Sequence, residues 1–378
     1  MTNSPFAAHR ADLEALAVEN RRRALVPRAG LDFASNDYLA LAGSYALGEA
    51  LATGLQRGLP AGSGGSRLLR GNHDEHEALE AHAARHYGSE AALFFPTGFA
   101  ANAALFATLP QRGDLIVHDE LIHASAHDGM KLGRAECTAA AHNDAQAFDD
   151  AILRWRAAGA TGTPWIAVES LYSMDGDCAP LADLAAVADR HDAILVIDEA
   201  HATGVYGPAG QGLAHALAPR DNLITLHTCG KALGCEGALL CGPRIVRDFL
   251  INRGRPFIFS TAPSPLMAWL VRQALEIVAN EPERAARLHT LVRHAEARLA
   301  KLGVSASGSQ IIPIVIGDNE RTMRIASALQ ADGFDIRGIR PPTVPHGTAR
   351  LRLAITLNVG EREIDAMTES LSAAMATA

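Results

Sequence analysis

Two apolar runs in this sequence end in residues able to do covalent chemistry. Leu223–Leu226 leads into His227-Thr228-Cys229-Gly230-Lys231, and Ile194–Ile197 leads into Asp198-Glu199-Ala200-His201. A lysine amine condenses with an aldehyde, which makes Lys231 a candidate Schiff-base residue for an aldehyde cofactor built on a pyridine ring. A negative Asp198 would keep the ring nitrogen protonated and able to accept electrons, and His201 is placed to hold a ring hydroxyl. Taken singly, each has an ordinary reading: a solvated lysine, an aspartate capping a helix, a hydrogen-bonded histidine. Only their combination points to a cofactor.

Such a cofactor needs an anion site as well. The segment Phe94-Phe95-Pro96-Thr97-Gly98-Phe99-Ala100-Ala101-Asn102 offers a strand end, a threonine cap, a glycine that lets the backbone approach closely, and a helical continuation, the features of a helix-start anion site. The hydroxyls of Thr228, Ser260 and Thr261 are further candidates. His123, in Ile122-His123-Ala124-Ser125, is placed by order to stack on the ring.

Elements able to position these residues are legible in the pattern. Short apolar runs suited to buried strands occur at Ala91–Phe95, Leu115–Val117, Trp165–Val168, Ile194–Ile197, Leu223–Leu226 and Ala238–Leu240, separated by amphipathic segments of helical period. Strands alternating with helices predict an α/β fold around a mostly parallel sheet, which collects ligands at the carboxyl ends of its strands. A basic, helix-prone arm from about Ala11 to Arg23 precedes it. After Pro263 the chain turns helical from Leu266 to Leu302, then β-like at Ile311–Ile316 and Leu351–Thr356, with a last helix from Glu361, as in a smaller α+β domain. The expected organisation is an arm over residues 1–40, a large cofactor-binding domain over 41–265 and a small C-terminal domain over 266–378. The 378 residues are ample for this.

In these residues and their order the chain resembles the α-oxoamine synthases, fold-type-I pyridoxal-phosphate enzymes that condense an amino acid with an acyl thioester and release carbon dioxide. The resemblance runs from about Arg21 to Leu371. It rests on Ser35-Asn36-Asp37-Tyr38-Leu39, Gly64-Gly65-Ser66-Arg67, the run from Glu169 to Asp177, Asp198-Glu199-Ala200-His201, and Gly230-Lys231-Ala232-Leu233-Gly234. The stretches Ser66–Asp74 and Arg340–Arg352 are similar to the branch that makes 8-amino-7-oxononanoate in biotin synthesis from L-alanine and a pimeloyl thioester carried on coenzyme A or an acyl carrier protein. Phe99 departs from that branch, which often has tyrosine there, and a histidine common in relatives near Asn358 is missing.

The resemblance implies pyridoxal 5'-phosphate as cofactor and a homodimer with a shared active site. It assigns Lys231 the Schiff base, Asp198 the pyridine nitrogen, His201 and Ser173 the ring oxygen region, and His123 the stacking position. Gly98, Phe99 and Thr228 fall to the phosphate, with Ser260 and Thr261 reaching the phosphate of the partner subunit. Arg352 would grip the amino-acid carboxylate with help from Asn36, while Arg21 and Thr343 would touch the acyl substrate.

Bulk properties narrow the alternatives. A net charge of −8 gives no basic stripe for a nucleic acid. Neither the first ten residues nor any later stretch has the apolar length of a signal peptide or a membrane span, so a cytoplasmic protein is expected. Cys137, Cys178, Cys229, Cys235 and Cys241 are an odd set without zinc-ligand spacing and are read as reduced thiols. A metalloenzyme built on His73, His76, His82 and His86 lacks an acidic general base between His82 and His86, and no metal is expected. An aminotransferase, a sister synthase using glycine or serine, and a non-catalytic regulator are the other readings.

Overall fold

The structure is a computed structural model that describes residues 4–377; Met1, Thr2 and Asn3 of the expected arm, and Ala378, lie outside the described residues. Its strands, in chain order, are β1 (Leu31–Asp32), β2 (Ala91–Phe95), β3 (Leu115–Asp119), β4 (Glu136–Ala140), β5 (Pro164–Glu169), β6 (Ile194–Asp198), β7 (Leu223–Thr228), β8 (Ala238–Gly242), β9 (Ile311–Gly317), β10 (Phe334–Asp335), β11 (Arg337–Ile339) and β12 (Ala349–Ala354). The chain divides into two compact units. Among the described residues, one comprises 39–173 and 177–286, the other 4–38, 174–176 and 287–377.

The larger unit is built on a seven-stranded sheet in the order β2-β8-β7-β6-β5-β3-β4. All neighbours run parallel except β8, which is antiparallel to both β2 and β7. Successive side chains on a strand point to opposite faces, so an uninterrupted apolar run supplies a core on each side. On one face Ile116, Trp165, Ala167, Val196, Ile224 and Leu240 pack with Leu105 and Phe106. On the other, Leu115, Val117, Ile166, Val168, Leu195 and Ile197 pack with Phe148, Ile152 and Leu184. Each fully buried aliphatic side chain contributes about 1.5–3 kcal/mol. Strand β4, Glu-Cys-Thr-Ala-Ala, has no apolar run; it is an edge strand with mostly exposed residues, so only pairing with β3 marks it.

Helix starts follow local chemistry. The Ser44 hydroxyl accepts the N–H of Leu47, that of Thr97 accepts from Ala100, the Asp144 carboxylate accepts from Gln146 and Ala147, and the Ser264 hydroxyl accepts from Met267 with Pro265 in the first turn. The helical region after Pro263 is two helices, Pro265–Asn280 and Glu283–Leu299. The first packs against helices 45–56 and 74–87 and belongs to the larger unit, beyond the boundary the composition suggested.

In the smaller unit β11-β12-β9 form an antiparallel sheet, and β1 pairs in parallel with β10. The arm's helix is Ala7–Val18 rather than the stretch to Arg23. Asn20 takes a left-handed φ of 55°, which stops the helix and turns Arg21 toward the C-terminal residues of its own unit. Among the described residues no helix is long and apolar enough to cross a membrane.

Candidate active site

Strands β5, β6 and β7 all end at the same edge of the sheet, and the parallel register puts Glu169 beside Asp198 and Asp198 beside Leu226. Lys231 stands on a loop just past β7 that its own backbone closes: the Cys229 N–H donates to the Gly237 carbonyl, Cys235 to Cys229, and Gly234 to Lys231. Gly234 is required here. Its φ is +64°, and a Cβ would collide with the Ala42 nitrogen, so no other residue lets the loop lie against residues 41–42. The Lys231 ammonium, which has only hydrogens to offer, donates to His201 Nε2 at 2.7 Å.

Asp198 is buried, and its carboxylate is held from two sides. Oδ1 accepts the N–H of Ala200 at 2.9 Å, and Oδ2 accepts Asn102 Nδ2 at 2.9 Å. The other Asn102 Nδ2 hydrogen goes to Ser125 Oγ at 2.9 Å, and Ser125 Oγ lies 2.8 Å from His123 Nδ1. His123 Nδ1 also faces the Ser125 N–H at 3.2 Å. A nitrogen facing two donors must accept, so the Ser125 hydroxyl proton points to His123 and the ring carries its own proton on Nε2. Although His123 is exposed, shielding around it pulls the ring below the usual histidine value, with Asp198 pulling upward and Lys231 pressing further down. A neutral imidazole therefore heads a four-residue chain ending on a carboxylate.

Asn102 and Ser125 were not singled out in the sequence, yet they join two residues that were. The signal was present. Asn102 is a polar residue in Gly98–Phe106, a helical stretch otherwise made of apolar residues and glycine, and a buried amide there must have a partner. Glu169 was missed too. It is buried, and burial first, then the Asp198 charge, hold its carboxyl well above the ordinary range. It stands beside Asp198 on the neighbouring strand, with Oε1 unpaired. Glu199 serves the fold instead. It accepts the N–H groups of Leu213 and Ala214, and burial raises it to about 7 against those bonds.

The start of helix 98–108 presents backbone donors. The first N–H groups of a helix lack intrahelical partners, and since Thr97 takes the Ala100 N–H, those of Gly98 and Phe99 are available to a ligand. A Cβ on Gly98 would come within 2.7 Å of Thr228 Cγ2, so glycine brings the Thr228 side chain against the helix start. Ser260 and Thr261 enter none of these hydrogen bonds; the Ser260 hydroxyl donates to the Pro256 carbonyl and Thr261 is exposed. The donor set fits a pyridine cofactor with an aldehyde and a phosphate: an amine, a carboxylate for the ring nitrogen, an imidazole for its face, and backbone donors for the anion.

In the smaller unit Arg352, buried on β12, donates through Nη2 to Asn36 Oδ1 at 3.1 Å, and the Tyr38 hydroxyl donates to the same oxygen at 3.0 Å. Arg350, two residues earlier, pairs with Asp175 and donates to the Met174 carbonyl, tying residues 174–176 into this unit. The Arg21 Nε–H donates to the Pro341 carbonyl at 3.1 Å, and the hydroxyl of Thr343 accepts from Arg23 at 2.9 Å. All five cysteines are free. Among the described residues no three His, Cys, Asp or Glu side chains form a metal-binding group; His73 and His76 instead close a capping box at the start of helix 74–87.

Comparison with known proteins agrees with this geometry. The family model for aminotransferase class I and II matches residues 28–371. The 8-amino-7-oxononanoate synthase of Anaeromyxobacter dehalogenans strain 2CP-1 is 42% identical over 97% of this chain and 94% of its own length. A solved 8-amino-7-oxononanoate synthase from Francisella tularensis superposes with a TM-score of 0.78 at 27% identity, covering 92% of this chain and 98% of that one. A structure of serine palmitoyltransferase with pyridoxal phosphate gives a TM-score of 0.89 at 25% identity over 100% of this chain and 99% of the other. The lysine and aspartate at the strand ends are thus set in a chain that belongs to the aminotransferase class I and II family, among its α-oxoamine synthases.

Proposed function

We propose that the chain condenses L-alanine with a pimeloyl thioester, releasing carbon dioxide and the free thiol and giving 8-amino-7-oxononanoate for biotin synthesis. The observation that carries this reading is Lys231 poised on His201 beside Asp198, whose carboxylate is fixed through Asn102 and Ser125 to His123. Pyridoxal 5'-phosphate, when bound, supplies an aldehyde for the amine and a protonated pyridine ring that takes up the electron pair left at the alanine Cα.

The protein's residues do the rest. Lys231 would hold the cofactor through its amine, and the same amine, once free, is the group that would take and return the proton at the alanine Cα. Asp198, fixed in place by Asn102 and the Ala200 N–H, would pair with the ring nitrogen. His123 presents a neutral ring face, and Ser125 and Asn102 set its tautomer. His201 and Ser173 would hold the ring oxygen, and the Gly98 and Phe99 N–H groups with the Thr228 hydroxyl would hold the phosphate. Arg352, held by Asn36, offers a fork for the alanine carboxylate. Arg21 and Thr343 attend the acyl substrate.

The working form is a cytoplasmic homodimer in which Ser260 and Thr261 reach the partner's phosphate, as the resemblance to the α-oxoamine synthases implies. The donor is a thioester of coenzyme A or an acyl carrier protein. Mass spectrometry of a mixture of the protein, pyridoxal phosphate, L-alanine and pimeloyl-coenzyme A tests the reading: product of the expected mass supports it. Turnover only with glycine or serine would move the chain to a sister synthase, and accumulation of pyridoxamine phosphate with a keto acid would make it an aminotransferase.

A further inference from the structure

Strand β12 carries two buried arginines, Arg350 and Arg352, two positions apart and so on one face of its sheet. The register with β9 is unbroken from Arg350 to Ala354, and Arg337 on β11 lies opposite Arg352 on that same face. Three guanidiniums are thus gathered on one small patch. Arg337 pairs with Asp335 at 2.6 Å, Arg350 pairs with Asp175, and Arg352 donates to the neutral amide oxygen of Asn36 at 3.1 Å. Since Arg352 is the residue proposed for the alanine carboxylate, any carboxylate of the chain within its reach is a competitor.

Arg350 is fixed more firmly than an ion pair alone requires. Its Nε–H donates to the Thr348 carbonyl at 3.0 Å, and Nη1 donates to the Met174 carbonyl at 3.2 Å as well as to Asp175. Its side chain is only 6% exposed. The backbone of the short strap Met174–Gly176 is pinned independently of Arg350. The Ser309 hydroxyl donates to the Gly176 carbonyl at 2.6 Å, and Gly176, at φ +72°, lies so near the Ile311 carbonyl that a Cβ would collide with its oxygen. Asp175 therefore stays beside the arginines whether or not Arg350 holds it. Its side chain is 34% exposed, which leaves it room to turn. Adjacent same-face positions on a strand are about 7 Å apart, within the combined swing of an arginine and a carboxylate. A carboxylate tethered there acts at an effective concentration on the order of mM, enough to compete with a freely diffusing amino acid.

We propose that Arg350 is a positioning residue for the amino-acid substrate: by holding Asp175 it keeps this carboxylate of the chain away from Arg352, whose fork is then left to the carboxylate of the incoming amino acid. Arg350 touches neither substrate nor cofactor in this role. The inference rests on the part of the reading above that gives Arg352 an amino-acid carboxylate, and not on which amino acid or acyl chain is used.

The experiment uses the cofactor-loaded enzyme and the variants Arg350→Gln, Arg350→Lys and Asp175→Asn, with Asp175→Asn also added to each Arg350 variant. L-Alanine affinity is followed by the absorbance of the bound cofactor, beside KM and kcat. Arg350→Gln is expected to weaken L-alanine binding by about 10-fold with kcat within about threefold of the parent, and Arg350→Lys by about fourfold. Asp175→Asn alone should stay within about twofold, since its carboxylate is already engaged. Adding Asp175→Asn to Arg350→Gln should restore affinity to within about twofold of the parent, because the competitor is gone. L-Alaninamide, which lacks the carboxylate, should bind every variant as it binds the parent. Unchanged L-alanine affinity in Arg350→Gln would overturn the proposal. So would a double variant as weak as Arg350→Gln, or an equal loss with the amide, either of which gives Arg350 a structural role only. If circular dichroism shows that Arg350→Gln does not fold, the same restoration by Asp175→Asn is read on Arg350→Lys, and its failure there overturns the proposal equally. Glycine and serine carry the same carboxylate, so the pattern is read with whichever of the three amino acids binds. Failure of the alanine reaction alone would therefore leave this inference standing or falling on its own result.

Discussion

At the carboxyl edge of the large sheet, the buried Asp198 carboxylate accepts from Asn102 and from the Ala200 N–H, and Asn102 in turn donates to Ser125. In the smaller unit, Arg23 and Arg340 line a cavity and, among the described residues, donate to a hydroxyl and a carbonyl. In the first region the hydrogen bonds run from residue to residue within the chain; in the second, among the described residues, no carboxylate lines the cavity. The difference separates residues that set reactivity from residues that set affinity. Damage to the first should appear in kcat and in the folded state, and damage to the second in KM with little cost to the fold.

The largest effect expected is from Lys231→Ala, which should lower product formation by about 10⁴-fold, the upper range for a lost general base, while circular dichroism shows a folded protein. Turnover near the parental rate would remove Lys231 from the mechanism. Next is Asp198→Asn, which should cost about 3–5 kcal/mol in kcat/KM, seen mainly in kcat. A change confined to KM would erase the contrast between the two regions.

Asn102→Ala and Ser125→Ala sharpen the comparison, because neither residue is placed against substrate. Each should lower kcat by about 10- to 100-fold, through roughly 1–3 kcal/mol of lost positioning, with the absorbance of the bound cofactor shifting in its pH dependence. If kcat and the pH titration both stay at parental values, the chain from Asp198 to His123 is structural only.

The smallest effect concerns stability. His142 donates to Asp119 at 2.9 Å and Asp177 at 2.8 Å. Burial alone would lower its pKa, but the hydrogen bonds and charges of the two carboxylates raise it above the ordinary value. A raised folded pKa means that its contribution is complete below the unfolded value of about 6.5 and fades as pH climbs through the folded one. His142→Gln should therefore lose about 1 kcal/mol at pH 6 and close most of the Tm gap by pH 9. A gap that widens with pH would show the histidine to be neutral in the fold.

Much of the sheet was readable because β5, β6 and β7 are buried on both faces and appear as unbroken apolar runs, and their polar tips put Asp198 and Lys231 in view. The edge strand β4 was not, since its residues carry no apolar pattern and its conformation comes from hydrogen bonds to β3. The arm's helix ended earlier than its composition suggested, at the left-handed Asn20. Gly98 was legible for a local reason, because a threonine cap followed by glycine states its geometry within a few residues.

The alternation of strands and helices, the lysine and carboxylate at the strand ends, and the family to which their order points are all properties of the linear chain. How charge is balanced at those ends was settled only by tertiary structure. Asn102 reaches Asp198 across 96 positions and Ser125 across 23, and Arg23 meets Thr343 across 320. Periodicity and capping act over one or two turns and can be read from neighbours, whereas a hydrogen bond between distant residues exists only once the chain has brought both to the same place.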